Sequence, residues 1–313
     1  SLAALSDLSY RDLAYEIMKL YFTDFTEEEL RFCIDHAYDK KFDTEEIAPV
    51  VKEGKDYYLE LFHGKTLAFK DMALSILPYL MKVSTKKNAI QEKIVILTAT
   101  SGDTGKAALE GFSDVEGTEI IVFYPKDGVS AFQEKQMKVQ KGKNTHVAAI
   151  LGNFDDAQSG VKRIFSDDAY KAELLQKGYR LSSANSINIG RLIPQIVYYI
   201  YAYGRLLKAG EIREGEELTV SVPTGNFGNI LAAYLAKRMG LPLGKLLCAS
   251  NENRVLTDFF HTGVYDRNRP FHLTSSPSMD ILISSNLERL LYSVAKDADE
   301  VVQFMKDLQE RGR

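Results

Sequence analysis

Residues 93–112 read KIVILTATSGDTGKAALEGF, and the fold follows from how this stretch divides. KIVILTAT is short, β-rich and almost wholly apolar, the pattern of a strand buried on both faces. TGKAALEGF has helical spacing, and the junction TSGDTG (100–105) carries small hydroxylated residues and two glycines. The same alternation continues C-terminally: EIIVFYP (119–125) as strand, SAFQEKQMKV (130–139) as helix, THVAAIL (145–151) as strand, FDDAQSGVKRIF (154–165) as helix and YRLSSA (179–184) as strand. IGRLIPQIVYYIYAYGRLL (189–207) is a long helix too apolar for a surface and reads as a divider. A second series follows with ELTVSVPT, FGNILAAYLAKRM and KLLCASN. Strands alternating with helices predict an α/β protein with open, mainly parallel, twisted sheets flanked by helices. Upstream, YRDLAYEIMKLY and TEEELRFCIDHAYDKK predict two amphipathic helices in an N-terminal segment, YYLELF a short strand, and TLAFKDMALSILPYLMKV (66–83) a helix bent at Pro78.

The chain has 313 residues, 45% of them hydrophobic, enough for two packed cores. A formal charge of −4, with no lysine cluster interleaved with aromatics, argues against a nucleic-acid partner. The first residues lack the pattern of a signal peptide, and no run of about 18 apolar residues predicts a membrane span. Cys33 and Cys248 form neither a disulfide framework nor a CxxC pair, so a reducing compartment, the cytoplasm, is the expectation. The five histidines have no ligand spacing, and no metal is expected.

In open α/β sheets ligands bind beyond the carboxyl ends of the strands, so strand-to-helix loops are where chemistry is sought. TATSGDTGKAA (98–108) is not a Walker loop, which would need glycine at Thr100 and a hydroxyl at Ala107. It remains an anion-binding helix start or an ordinary cap by Asp103 or Thr104. VPTGNFGNI (222–230) combines Gly225 and Gly228 with Asn226 and Asn229, residues that tolerate left-handed backbone, in a nest suited to one phosphate or a structural turn. SSANSINIGR (182–191) sets Asn185, Ser186, Asn188 and Arg191 before the apolar helix, as a polar loop or as caps. FHGKTLAFKDMA (62–73) places Lys70 between Phe69 and Asp71 at the start of an apolar helix. A lysine, an anion loop, a polar asparagine loop and a phosphate nest together describe a pyridoxal phosphate site, in which the lysine amine joins the cofactor aldehyde.

With HGKTLAFKD, TATSGDTG, GNFDDAQ (152–158), SANSINIGR, PTGNFGN and SPSMDILISSNLERLLY (276–292) in order, the chain resembles the threonine synthase family of the tryptophan-synthase-β-like class. The resemblance implies two open parallel sheets with a helical N-terminal segment: residues 1–68 as that segment, 69–88 with 194–313 as a large cofactor domain incomplete at its C-terminus, and 89–193 as a small α/β domain. It implies Lys70 as the catalytic lysine. Gly225, Asn226, Phe227, Gly228 and Asn229 would hold the cofactor phosphate, with Asp103 and Asn185 as further cofactor contacts. Thr66, Ser101, Thr104, Gly105, Asn188 and Arg191 would bind substrate. Lys65 stands where relatives usually have proline. A Tyr-x-Ser-Thr-Arg-Gly opening and a C-terminal threonine that faces the pyridine nitrogen are absent, so the expectation is a chain truncated at both ends.

The activity implied is conversion of O-phospho-L-homoserine and water to L-threonine and phosphate, with a small amino-acid phosphate as partner, no membrane, and a monomer or homodimer equally open. Arg191, then Lys106, then Lys65 are the candidates to hold the leaving phosphate. The alternatives are a phospho-lyase or dehydratase giving 2-oxobutyrate and ammonia, and a non-catalytic pyridoxal-phosphate-binding protein. His63, beside the lysine motif, reads as structural or as a proton carrier, and Asp280 as structural.

Overall fold

The computed structural model describes residues 2–313; the side chain of Asp155, within GNFDDAQ, lies outside the described residues. Contacts divide the chain into one compact unit ending at Ile212 and a second running from Arg213 to Arg313.

The first unit opens with helices α1 (Leu2–Ser6), α2 (Tyr10–Met18) and α3 (Glu27–Ala37), then a hairpin of β1 (Val50–Glu53) and β2 (Asp56–Leu59). Ser9 caps α2, and Thr26 with Glu29 forms a capping box on α3, as the acidic N-terminal turns predict. The stretch expected to form one bent helix is two: α4 (Asp71–Leu74) and α5 (Leu77–Lys87). Pro78 lies in the first turn of α5, where its missing N–H is not needed, so it starts a helix instead of kinking one.

Strands β3 (Lys93–Ala99), β4 (Thr118–Pro125), β5 (Thr145–Ile150) and β6 (Tyr179–Ser183) alternate with α6 (Asp103–Phe112), α7 (Ala131–Lys138), α8 (Phe154–Ser166) and α9 (Asp168–Gln176). The strands pair in parallel in the order β5-β4-β3-β6. Alternate side chains serve opposite faces. Ile94, Ile96, Ile120 and Val122 pack with Leu74, Leu77, Ala108 and Phe112, while Leu97 and Ala99 pack with Ala157 and Val161 of α8. The sheet is therefore covered on both sides, as the apolar strands require.

Helix α10 (Ile189–Lys208) closes the unit, with fifteen of its twenty residues buried. Tyr10 meets Tyr38 and Tyr201 edge-on, each at 5.1 Å, which seats the N-terminal helices on α10. The Tyr38 hydroxyl donates to the Met72 carbonyl at 2.7 Å and so supports the short helix that follows Lys70.

In the second unit, β7 (Leu218–Pro223) and β8 (Leu243–Ala249) pair in parallel around α11 (Gly228–Arg238), followed by α12 (Val255–Thr262), α13 (Leu287–Ala295) and α14 (Ala298–Arg311). The two parallel sheets and the helical N-terminal segment match the expected fold class. The discontinuous grouping of 69–88 with 194–313 stays a proposal; the contact units run continuously along the chain.

Candidate active site

In the four-stranded sheet the chain steps outward from β3 to β4 and β5, then returns to pair β6 on the other side of β3. That reversal is a topological switch point, where the loops after neighbouring strands diverge and open a crevice at their carboxyl ends. The two loops concerned are 100–102 and 184–188. They are joined directly, since the Asn185 amide donates to the Ala99 carbonyl at 3.1 Å.

Lys70 is the N-cap residue of α4 and only 8% exposed. Its Nζ donates to Asp103 Oδ2 at 2.6 Å, across the start of α6. Burial lowers the Lys70 pKa; Asp103 opposes that shift and Arg191 reinforces it. The turn that presents the lysine is tightly tied. Thr66 donates to Asp71 through both its N–H (2.8 Å) and its hydroxyl (2.6 Å), and Leu67 takes a left-handed φ of 58°. Gly64 is required there because a Cβ would fall 2.5 Å from Asp71. Burial raises the Asp71 pKa, with the two Thr66 bonds acting against it.

At the end of β3, Thr100 Oγ1 accepts the N–H groups of Gly102 (2.9 Å) and Gly105 (2.8 Å), and Asp103 Oδ1 accepts that of Thr104. The N-cap of α6 is Gly102 at φ 148°, not Asp103 or Thr104. The cap anticipated from those side chains is displaced because Thr100 already holds the first turn. Ser101 keeps its N–H and hydroxyl without a partner in the described structure.

Asn188 caps α10, accepting from Gly190 N–H at 2.9 Å and donating to the Ser183 carbonyl at 2.8 Å, so its side chain sets where that helix begins. Arg191 on the first turn is 4% exposed and donates through Nη1 to the Ala184 carbonyl, while its buried Nε has no partner. Burial lowers the Arg191 pKa to about 10, with Asp103 pulling it back up. A desolvated guanidinium with an unused donor is a built receptor for an anion. Lys65 and Lys106 are engaged elsewhere: both pair with Glu110, at 3.1 and 3.2 Å.

The second unit holds the other loop. Gly225 and Asn226 turn their carbonyls to the segment 284–286: Ser284 Oγ donates to Gly225 O at 2.7 Å, and Asn286 donates to Asn226 O from its backbone (3.1 Å) and its amide (3.0 Å). The N–H groups of Gly225, Asn226, Phe227 and Gly228 have no acceptor among the described residues. Phe227 adopts a left-handed φ of 64° as the N-cap of α11, and Asn229 follows in its first turn. Consecutive unpaired N–H groups at a helix start form an anion cradle. A Cβ at Gly225 would lie 2.5 Å from the Ser278 carbonyl, so the cradle depends on that glycine. Asp280 anchors the SPSMD segment, accepting from Asn251, Asn253 and Thr274.

Each unit by itself therefore carries a feature that pyridoxal phosphate requires: a buried amine in the first, and in the second four unpaired amides of the kind that suits a phosphate. Sequence reasoning missed the contributions of Ser284, Asn286 and Gln133, whose partners lie 59, 60 and 31 positions away in the chain. Ser284 and Asn286 lie within SPSMDILISSNLERLLY, but the stretch itself does not name the loop they hold. No cluster that could hold a metal occurs among the described residues.

Residues 52–313 match the family model described as pyridoxal-phosphate dependent enzyme, and residues 1–38 that described as threonine synthase N terminus. Threonine synthase-like 1 of Macaca fascicularis is 45% identical over 287 residues, which cover 89% of this chain and 38% of that protein. The threonine synthase of Pseudomonas aeruginosa is 39% identical, covering 100% of this chain and 64% of its own length. A PLP-bound threonine synthase from Brucella melitensis superposes with a TM-score of 0.88 at 38% identity, over 99% of this chain and 64% of that one. The chain thus spans less than two thirds of the length of these relatives. Because that first model spans most of the chain, the chain belongs to the pyridoxal-phosphate dependent enzymes.

Proposed function

We propose that this chain carries the core of a pyridoxal-phosphate enzyme converting O-phospho-L-homoserine and water to L-threonine and phosphate. The carrying observation is the Lys70 amine, desolvated and held by Asp103 beside Arg191 at the switch point of the sheet. When bound, the cofactor supplies a conjugated ring that accepts charge developing at the substrate Cα. Lys70 would join the cofactor at its aldehyde, and Gly225 to Asn229 would hold a phosphate. The downward shift of its pKa favours the neutral Lys70 amine, the form that can take a proton from the substrate Cα. Asp103 orients that amine, and Asn185 fixes the loop beside it. Arg191 receives the leaving γ-phosphate through its unused buried donor. Ser101 and the Thr104 hydroxyl bind the amino-acid end, Gly105 ties the loop to Thr100, and Thr66 and Asn188 set the turns that frame it.

No described helix is long and apolar enough to cross a membrane, and a cytoplasmic, small-molecule enzyme is the proposed setting. The test is to supply O-phospho-L-homoserine to the cofactor-loaded chain and follow phosphate and organic product together. Equal phosphate and L-threonine support the reading. Phosphate with 2-oxobutyrate identifies a phospho-lyase, and no phosphate from a loaded chain overturns the activity.

A further inference from the structure

The loop after β3 leaves a gap that is filled from another element. Gly102 has a φ of +148°, and a Cβ placed on it would lie 2.2 Å from Oε1 and 2.5 Å from Cδ of Gln133. The Gln133 carboxamide therefore occupies the space that glycine vacates, lying directly on the loop that joins β3 to α6. Its orientation is imposed by the start of α7. The Ser130 hydroxyl accepts from the Gln133 backbone N–H at 3.2 Å and donates to Oε1 at 3.2 Å. Both hydrogens on Nε2 are left without an acceptor among the described residues. On the same loop Thr100 consumes the N–H groups of Gly102 and Gly105, and Asp103 that of Thr104. The donors still available around Gly102 are thus Ser101, the Thr104 hydroxyl and the Gln133 amide, and all of them are neutral.

The proposed substrate has two anionic ends, a carboxylate and a phosphate, and the first unit offers two kinds of receptor. Arg191, 4% exposed with an orphaned Nε, is a charged donor suited to the end bearing more charge. We infer that Gln133, together with Ser101, recognises the α-carboxylate of the amino-acid substrate, leaving Arg191 to the phosphate. This assignment rests on the Lys70-centred reading above. It also explains the glycine at 102: any side chain there would displace the carboxamide as well as strain the backbone.

The experiment uses the chain loaded with pyridoxal phosphate, with L-threonine as a probe carrying the carboxylate but no phosphate, and inorganic phosphate as the second probe. Binding of each is followed by the cofactor absorbance band and by calorimetry. Gln133→Glu places a negative charge where the amide sits and is expected to weaken L-threonine binding at least tenfold. Gln133→Ala, which adds no charge, is expected to weaken it several-fold. Cofactor loading and phosphate binding should stay within twofold of the unsubstituted chain in both, and that retention also shows that the variants fold. Unchanged L-threonine affinity in both loaded variants overturns the assignment. An unsubstituted chain whose cofactor does not attach to Lys70 overturns the parent reading, and this one with it.

Discussion

At the residue scale, the lysine motif works because each neighbour of Lys70 is already committed. Thr66 is spent on Asp71, Asp71 fills the space beside Gly64, and Tyr38 holds the Met72 carbonyl, so the amine is the group left to face the sheet end. His63 anchors the upstream side of this turn. Its ring nitrogens lie 2.6 Å from Asp43 and 2.9 Å from Glu60, which only an imidazolium can satisfy at both ends. Burial favours the neutral ring, but the bonds to Glu60 and Asp43 outweigh it and raise the His63 pKa. A raised folded value means that this stabilisation is complete below the ordinary histidine pKa of about 6.5 and is lost as pH rises through the folded value. Urea unfolding between pH 6 and 9 should show the chain losing about 1 kcal/mol relative to a His63→Gln variant. A difference between the two that does not vary with pH contradicts the clamp. Lys70 and the GNFGN loop stand out in the sequence because their features are local: a lysine at a helix start, and a glycine, Gly225, where a Cβ is forbidden. The pairing of Lys70 with Asp103, 33 positions apart, and the packing of Gln133 on Gly102 are products of topology, and no residue pattern announces them.

At the element scale, the position of Lys70 depends on how closely α6 approaches α4. A Cβ on Gly111 would fall 2.2 Å from the Leu74 carbonyl oxygen, a backbone atom that can yield only if the helices separate. Gly111→Ala is therefore expected to destabilise the fold by about 3 kcal/mol and to weaken cofactor attachment, because α4 carries Lys70 at its N-cap. Gly160→Ala in α8 is the contrast: nothing lies within 4 Å, and the substitution should be neutral or stabilising by up to about 1 kcal/mol. Denaturant melts of the two variants check this, and equal behaviour would contradict close packing of α4 on α6. The strand–helix alternation of 93–184 was readable because buried parallel strands are apolar on both faces. Helix α9 escaped because DAYKAELLQ has no buried residue and hence no apolar stripe to read. The break between α4 and α5 escaped because Pro78 reads equally well as a kink or as a helix start.

At the scale of the whole molecule, the first unit supplies a buried amine, a buried guanidinium and a glycine loop at one switch point, and the second a cradle of four unpaired amides. The boundary at Ile212 falls just after the long apolar helix that the sequence marks as a divider. Order of motifs, more than any one motif, made the family legible, since each loop alone admits a structural explanation. We propose that burial beside Arg191 makes Lys70 the reactive amine. Its pKa is lowered, whereas Lys19, Lys52, Lys93, Lys138 and Lys177, each paired with a carboxylate at the surface, are shifted upward. The most direct measurement is to add pyridoxal phosphate near pH 8, reduce with borohydride and map the modified peptide. One reduced cofactor adduct is expected, on Lys70, and it should disappear in Lys70→Ala; label spread over surface lysines, or none on Lys70, rules out Lys70 as the reactive amine.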